Sequence, residues 1–161
     1  MENEPLIILL VEDNPDHTEL LMRNFQVRHM GNRIIEVRDG EEALDYLFRR
    51  GKYTDPGENP QPHLILLDLR LPKIDGIQVL KEIKSNRNVK SIPIVVVTTS
   101  EAEKDLALAC INHANSYLVK PVNFDAFCGV MIDLGFRRSR EDTGDSGDFS
   151  WVASNPKSGH R

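Results

Sequence analysis

Cysteine is scarce in this chain of 161 residues: only Cys110 and Cys128 occur. Two thiols without a CxxC spacing or neighbouring histidines build neither a disulfide framework nor a zinc site. Both sit at helix-like spacing among apolar neighbours, so they are expected to be buried packing residues. Long apolar runs are also missing. None is longer than Leu6 to Val11, which is far short of the roughly 18 to 20 residues of a membrane helix. No basic segment precedes it and no small-residue cleavage site follows, so no secretory signal is expected and the cytoplasm is the default location. An excess of positive charge is lacking as well: the net charge is −5, which argues against a nucleic-acid footprint. What remains, 40% hydrophobic and 28% charged residues, is the composition of a soluble globular protein with a core.

Five strand-then-helix units follow one another. Leu6-Ile7-Ile8-Leu9-Leu10-Val11 reads as a strand ending at Glu12-Asp13, after which Asn14 caps a helix with Pro15 in its first turn. Arg33 to Val37 is a second strand, followed by Asp39-Gly40 and a helix with Ala43, Leu44 and Leu47 inward. The stretch 51–62, with Pro56, Gly57, Pro60 and Pro62, is a long connection. Leu64 to Leu67 ends in Asp68 and leads to a helix with Val79, Leu80 and Ile83 on one face. Ile94 to Val97 ends in Thr98. Its helix opens on a capping-box pair, Ser100 and Glu103, and turns Ala102, Leu106, Ala109 and Cys110 inward. Tyr117-Leu118-Val119 ends in Lys120-Pro121 and precedes a helix, capped by Asn123, that carries Phe124, Phe127, Cys128 and Met131.

Such repetition predicts an α/β fold with a doubly wound parallel sheet and right-handed crossovers. Strands covered on both faces read as continuously apolar, whereas edge strands admit polar residues. The first, third and fourth strands are continuous. The second carries Arg33 and Glu36, and the fifth is short and bounded by Asn115, Ser116 and Lys120. The order that satisfies this is 2-1-3-4-5, flavodoxin-like, with five helices and a ligand crevice at the carboxyl ends of strands one and three. Residues 1–136 are assigned to this domain. Residues 137–161, rich in Ser, Gly, Asp and Arg, read as a polar unstructured tail in which Phe149 and Trp151 are the only large apolar residues.

That order brings Glu12, Asp13, Asp68, Thr98 and Lys120 to one rim. Three acids together repel unless something positive neutralises them. A hard divalent cation with oxygen ligands is the simplest answer, and magnesium suits two carboxylates, waters and a phosphate oxygen. Asp68, central in the crevice, could then attack a phosphoryl donor to give an aspartyl phosphate. Lys120 would offset charge on the phosphoryl oxygens and Thr98 would offer them a hydroxyl.

Glu12-Asp13, Asp68 in Leu-Leu-Asp-Leu, Leu71-Pro72 with Asp75-Gly76, Thr98, Tyr117 and Lys120-Pro121 together resemble the signature of the receiver domain of two-component response regulators, over about residues 5 to 136. The resemblance implies that Asp68 is the phosphoacceptor. It implies that Asp13, Asp68 and the backbone carbonyl of Arg70 ligate Mg²⁺, with Glu12 assisting through water. Thr98 and Tyr117 would form the switch pair, and Lys120 would pair with the phosphoryl group, its peptide bond to Pro121 being cis. The segment Gly51 to Pro62, the stretch Leu64 to Lys73 and Thr98-Thr99-Ser100 further resemble single-domain receivers of phytochrome-type sensor kinases.

The expected function is that of a stand-alone response regulator. It would be phosphorylated by a sensor histidine kinase and would signal through changed protein contacts on the face formed by the predicted fourth helix, the fifth strand and the last helix. The first helix, with the loops around Asp13 and Pro121, would be the kinase-docking side. No separate substrate turnover, nucleic acid or membrane is expected, and the apolar last helix permits a homodimer. Two alternatives are an adaptor that is never phosphorylated and a haloacid-dehalogenase-type phosphatase. The second wants an acid two residues after the nucleophile, where Arg70 stands. His17 and His63 are read as packing or surface residues rather than phosphotransfer histidines.

Overall fold

Strands form where β-branched and leucine residues run together, and a polar residue caps each α-helix among the described residues. The computed structural model describes residues 4–99, 114–140 and 148–153. Within them lie β1 (Ile7–Val11), α1 (Pro15–Asn24), β2 (Arg33–Val37), α2 (Gly40–Leu47), β3 (Leu64–Asp68), α3 (Gly76–Lys84), β4 (Ile94–Thr98), β5 (Ser116–Val119), α4 (Phe124–Asp133), β6 (Phe136–Arg140) and β7 (Phe149–Ala153). The side-chain oxygens of Asn14, Asp39, Asp75 and Asn123 each accept a backbone N–H in the first turn of the helix they precede, satisfying donors that would otherwise lack partners.

The parallel sheet has the expected order β2-β1-β3-β4-β5. Every residue of β3 and β4 is buried, whereas β2 and β5 each have one fully buried position. This is the contrast between central and edge strands that the side-chain pattern predicted. Alternate residues feed two cores. One places Leu9, Val11, Ile65, Leu67, Ile94 and Val96 against α2 and α3; the other places Ile8, Leu10, Leu64, Leu66, Val95 and Val97 against α1 and α4. Cys128 is buried as expected. The helix expected after β4, with its capping pair and Cys110, lies outside the described residues.

The expectation of an unstructured tail fails for the part of 137–161 that is described. β6 and β7 pair antiparallel, Arg137 opposite Val152 and Arg140 opposite Phe149. Trp151 and Val152 are fully buried and join the core on the α1 and α4 side. The physical reason is distant in sequence. The backbone N–H of Leu6 donates to the Trp151 carbonyl at 2.9 Å. The Asn32 amide nitrogen donates to the carbonyls of Leu6 and Trp151 at 2.9 and 2.8 Å. Its oxygen accepts from the Trp151 N–H at 2.7 Å. Trp151 stands edge-on to Phe127 at 5.8 Å and Phe149 at 6.2 Å. The Arg138 guanidinium lies over the rings of Phe124, Phe149 and Trp151, an arrangement favoured by the negative ring faces.

Candidate functional site

Glu12 directly follows β1, Asp68 ends β3, Thr98 ends β4 and Lys120 follows β5, so parallel register alone gathers four side chains at one end of the sheet. Register also places Thr98 opposite Val119 and Tyr117 opposite Val96. Thr98 and Tyr117 therefore face the same side of adjacent strands, since positions two apart share a face. Thr98 is fully buried and Tyr117 half-buried. The bond between Lys120 and Pro121 is cis, as the resemblance implied.

Asp68 is only 7% exposed. Its Oδ1 accepts a hydrogen bond from the backbone N–H of Arg70 at 2.9 Å, and its Oδ2 accepts one from the Lys120 ammonium at 3.2 Å. The ammonium also donates to Glu12 Oε1 at 2.6 Å. Glu12 Oε2 accepts the Asn14 N–H at 3.2 Å. Burial pushes the Glu12 carboxyl up to about 7, against the pull of the Lys120 ammonium, and Asp68 raises it further. A cation is thus already integrated among the acids, and it is a lysine.

Of the expected metal ligands, Asp13 is exposed on the loop after β1, and Arg70 is exposed two residues past Asp68. The structure instead brings His17 to Glu12 and Asp68, one potential ligand atom of each lying within 4.8 Å of the others. His17 Nδ1 is 3.1 Å from the Lys120 Nζ, which therefore occupies the neighbourhood of that cluster. The hard carboxylate oxygens of Asp68 and Glu12 fit a magnesium-type ion in their chemistry; the imidazole is a softer donor. From sequence alone His17 reads as a packing or surface residue. The signal that could have found it is its place one turn from the Asn14 cap, where a helix entering at the rim turns a side chain back towards the strand ends. His17 also lines a groove of about 210 Å³ with Leu20, Asn24, Thr99, Pro121 and Val122.

The order 2-1-3-4-5, with an acid and lysine crevice at the strand ends, defines a CheY-like module of the flavodoxin-like class. Residues 8–131 match the response regulator receiver domain, and the chain belongs to that family. It is a receiver domain of two-component signalling, a class of signalling proteins without separate substrate turnover.

Three relatives illustrate the range. The probable methanogenesis regulatory protein FilR2 of Methanothrix harundinacea is 48% identical over 122 residues, 76% of each chain. The response regulator Rcp1 of Synechocystis is 43% identical over 121 residues, 75% of this chain and 80% of Rcp1. A structure of Rcp1 in its Mn²⁺-bound form aligns with TM-score 0.64 and 42% identity, covering 78% of this chain and 89% of that one. The bacteriophytochrome response regulator RtBRR aligns with TM-score 0.78 and 38% identity over 90% of this chain and 87% of its own. None of the helices among the described residues is long and apolar enough to cross a membrane.

Proposed function

We propose that this receiver takes a phosphoryl group from the phosphohistidine of a sensor histidine kinase onto Asp68. The observation that carries the reading is the setting of the Asp68 carboxylate, with one oxygen held by the Arg70 N–H at 2.9 Å and the other facing the Lys120 ammonium at 3.2 Å. A carboxylate oxygen of Asp68 attacks phosphorus, the phosphorus–nitrogen bond breaks, and the imidazole leaves with the electron pair and takes up a proton. Lys120 stabilises charge on the phosphoryl oxygens. Asp13, Asp68 and the Arg70 carbonyl would hold Mg²⁺, with Glu12 acting through water. The bound ion would neutralise phosphoryl charge. That Rcp1 is known in an Mn²⁺-bound form supports this assignment.

Thr98 and Tyr117 form the switch pair, Thr98 moving to the phosphoryl group and Tyr117 turning inward, so that a partner distinguishes two states. The receiver acts in the cytoplasm and signals by altered contacts, without turnover of a separate substrate. The likeness to RtBRR favours a phytochrome-type kinase. A homodimer through α4, where Ile132 is 59% exposed, belongs to the same reading.

Incubation with phosphoramidate and Mg²⁺, followed by intact mass, tests the proposal. One phosphoryl mass is gained by the native chain and none by Asp68→Asn. No gain in the native chain defeats the reading, and an equal gain in Asp68→Asn moves the acceptor elsewhere.

A further inference from the structure

We infer that His17 is a positioning residue for Lys120, an inference that rests on Lys120 serving phosphoryl transfer to Asp68. The lysine ammonium has three N–H bonds and no acceptor. Among the described residues its partners are Glu12 Oε1 at 2.6 Å, His17 Nδ1 at 3.1 Å and Asp68 Oδ2 at 3.2 Å. Because the ammonium can only donate, His17 Nδ1 accepts, and the imidazole proton therefore sits on Nε2.

Two of the three N–H bonds are thus anchored on groups that are not the phosphoacceptor. With those two directions fixed, the third points at Asp68, where phosphoryl oxygens arrive. Glu12 alone would leave the ammonium free to swing about a single bond. The Lys120 side chain is 10% exposed and that of Glu12 1%, so water competes little for the ammonium on that side. His17 closes the remaining side at 41% exposure. It stands at the mouth of the groove between α1 and the Pro121 turn, so a protein seated there meets the residue that orients the lysine.

Removal of the imidazole acts on orientation rather than on donor binding. His17→Ala lowers the maximal rate of phosphorylation by phosphoramidate roughly three- to ten-fold and leaves the half-saturating donor concentration nearly unchanged. His17→Asn restores most of the rate, because the Asn oxygen occupies the place of Nδ1 and accepts a hydrogen bond there. The Lys120 ammonium protons, followed by nitrogen-15 NMR of the full chain, exchange with water faster in His17→Ala than in the native protein or His17→Asn. Unchanged maximal rate and exchange in His17→Ala, or equal behaviour of the Ala and Asn variants, overturns the inference. Failure of the native chain to be phosphorylated would remove the role in transfer, whereas ammonium exchange separately decides whether His17 holds Lys120.

Discussion

Lys120 lies nearer to Glu12 than to the proposed phosphoacceptor: its Nζ is 2.6 Å from Glu12 Oε1 and 3.2 Å from Asp68 Oδ2. Even with that partner, burial holds the Glu12 carboxyl at about 7, above its ordinary 4.5. In the folded state Glu12 keeps a proton that the unfolded chain releases. Its contribution to stability is therefore complete below the ordinary value and is lost as pH rises through about 7. In the absence of divalent cations, urea unfolding of the native chain and of Glu12→Gln should differ in pH profile. The native chain loses on the order of 2–3 kcal/mol relative to the variant between about pH 5 and pH 8. Parallel profiles would show that Glu12 ionises in its ordinary range.

The hairpin beyond the receiver core yields a prediction about stability. Trp151 is fully buried, and its indole N–H has no hydrogen-bond partner among the described residues. Its value is therefore volume and ring contact. Trp151→Ala should cost about 3–5 kcal/mol, the range for emptying a large aromatic site. Trp151→Phe should cost less than half of that, because no hydrogen bond is forfeited with the indole. Urea unfolding followed by far-ultraviolet circular dichroism measures both. A cost below about 1 kcal/mol for Trp151→Ala would mean that the hairpin contributes little to the folded state.

What holds the hairpin explains why it was illegible in the sequence. The apolar character of β1, β3 and β4 is written in consecutive residues, as are the caps at Asn14 and Asn123, so strand order and four helices could be read directly. Glu12, Asp68 and Lys120 were legible because each stands at a strand end, where parallel topology gathers side chains. Trp151 has no such local signature. Its strand is ordered by Leu6 and Asn32, and Asn32 is 119 residues away in sequence, while a stretch rich in Arg, Ser, Gly and Asp surrounds it. His17 was missed for a related reason: a single half-exposed histidine in a helix acquires meaning only through Lys120, 103 residues away.

Asn32 tests that account. It is 8% exposed and makes three hydrogen bonds that tie β7 to the segment before β1. Asn32→Ala leaves the Trp151 N–H and carbonyl without this partner and should destabilise the chain by about 2–4 kcal/mol. Amide hydrogen exchange at Trp151 should accelerate more than exchange in β3. Uniform acceleration across the sheet would instead indicate that the hairpin and the sheet open as one unit.

Two glycines make opposite predictions from the same substitution. A Cβ on Gly76 would lie 2.4 Å from the Leu69 Cα and 2.6 Å from the Asp68 carbonyl oxygen. The start of α3 is therefore packed directly on the backbone that carries the proposed acceptor. Both obstacles are main chain, so Gly76→Ala has to displace the loop from Asp68 to Asp75; a cost of about 2–4 kcal/mol and a fall in phosphoramidate labelling are expected. Gly129 is inside α4, and nothing lies within 4 Å of a Cβ built there. Gly129→Ala gains helix propensity and should stabilise by about 0.5–1 kcal/mol without affecting labelling. Urea unfolding and intact mass on the two variants measure both effects. Equal stability changes at the two positions would refute the close approach of α3 to the Asp68 backbone.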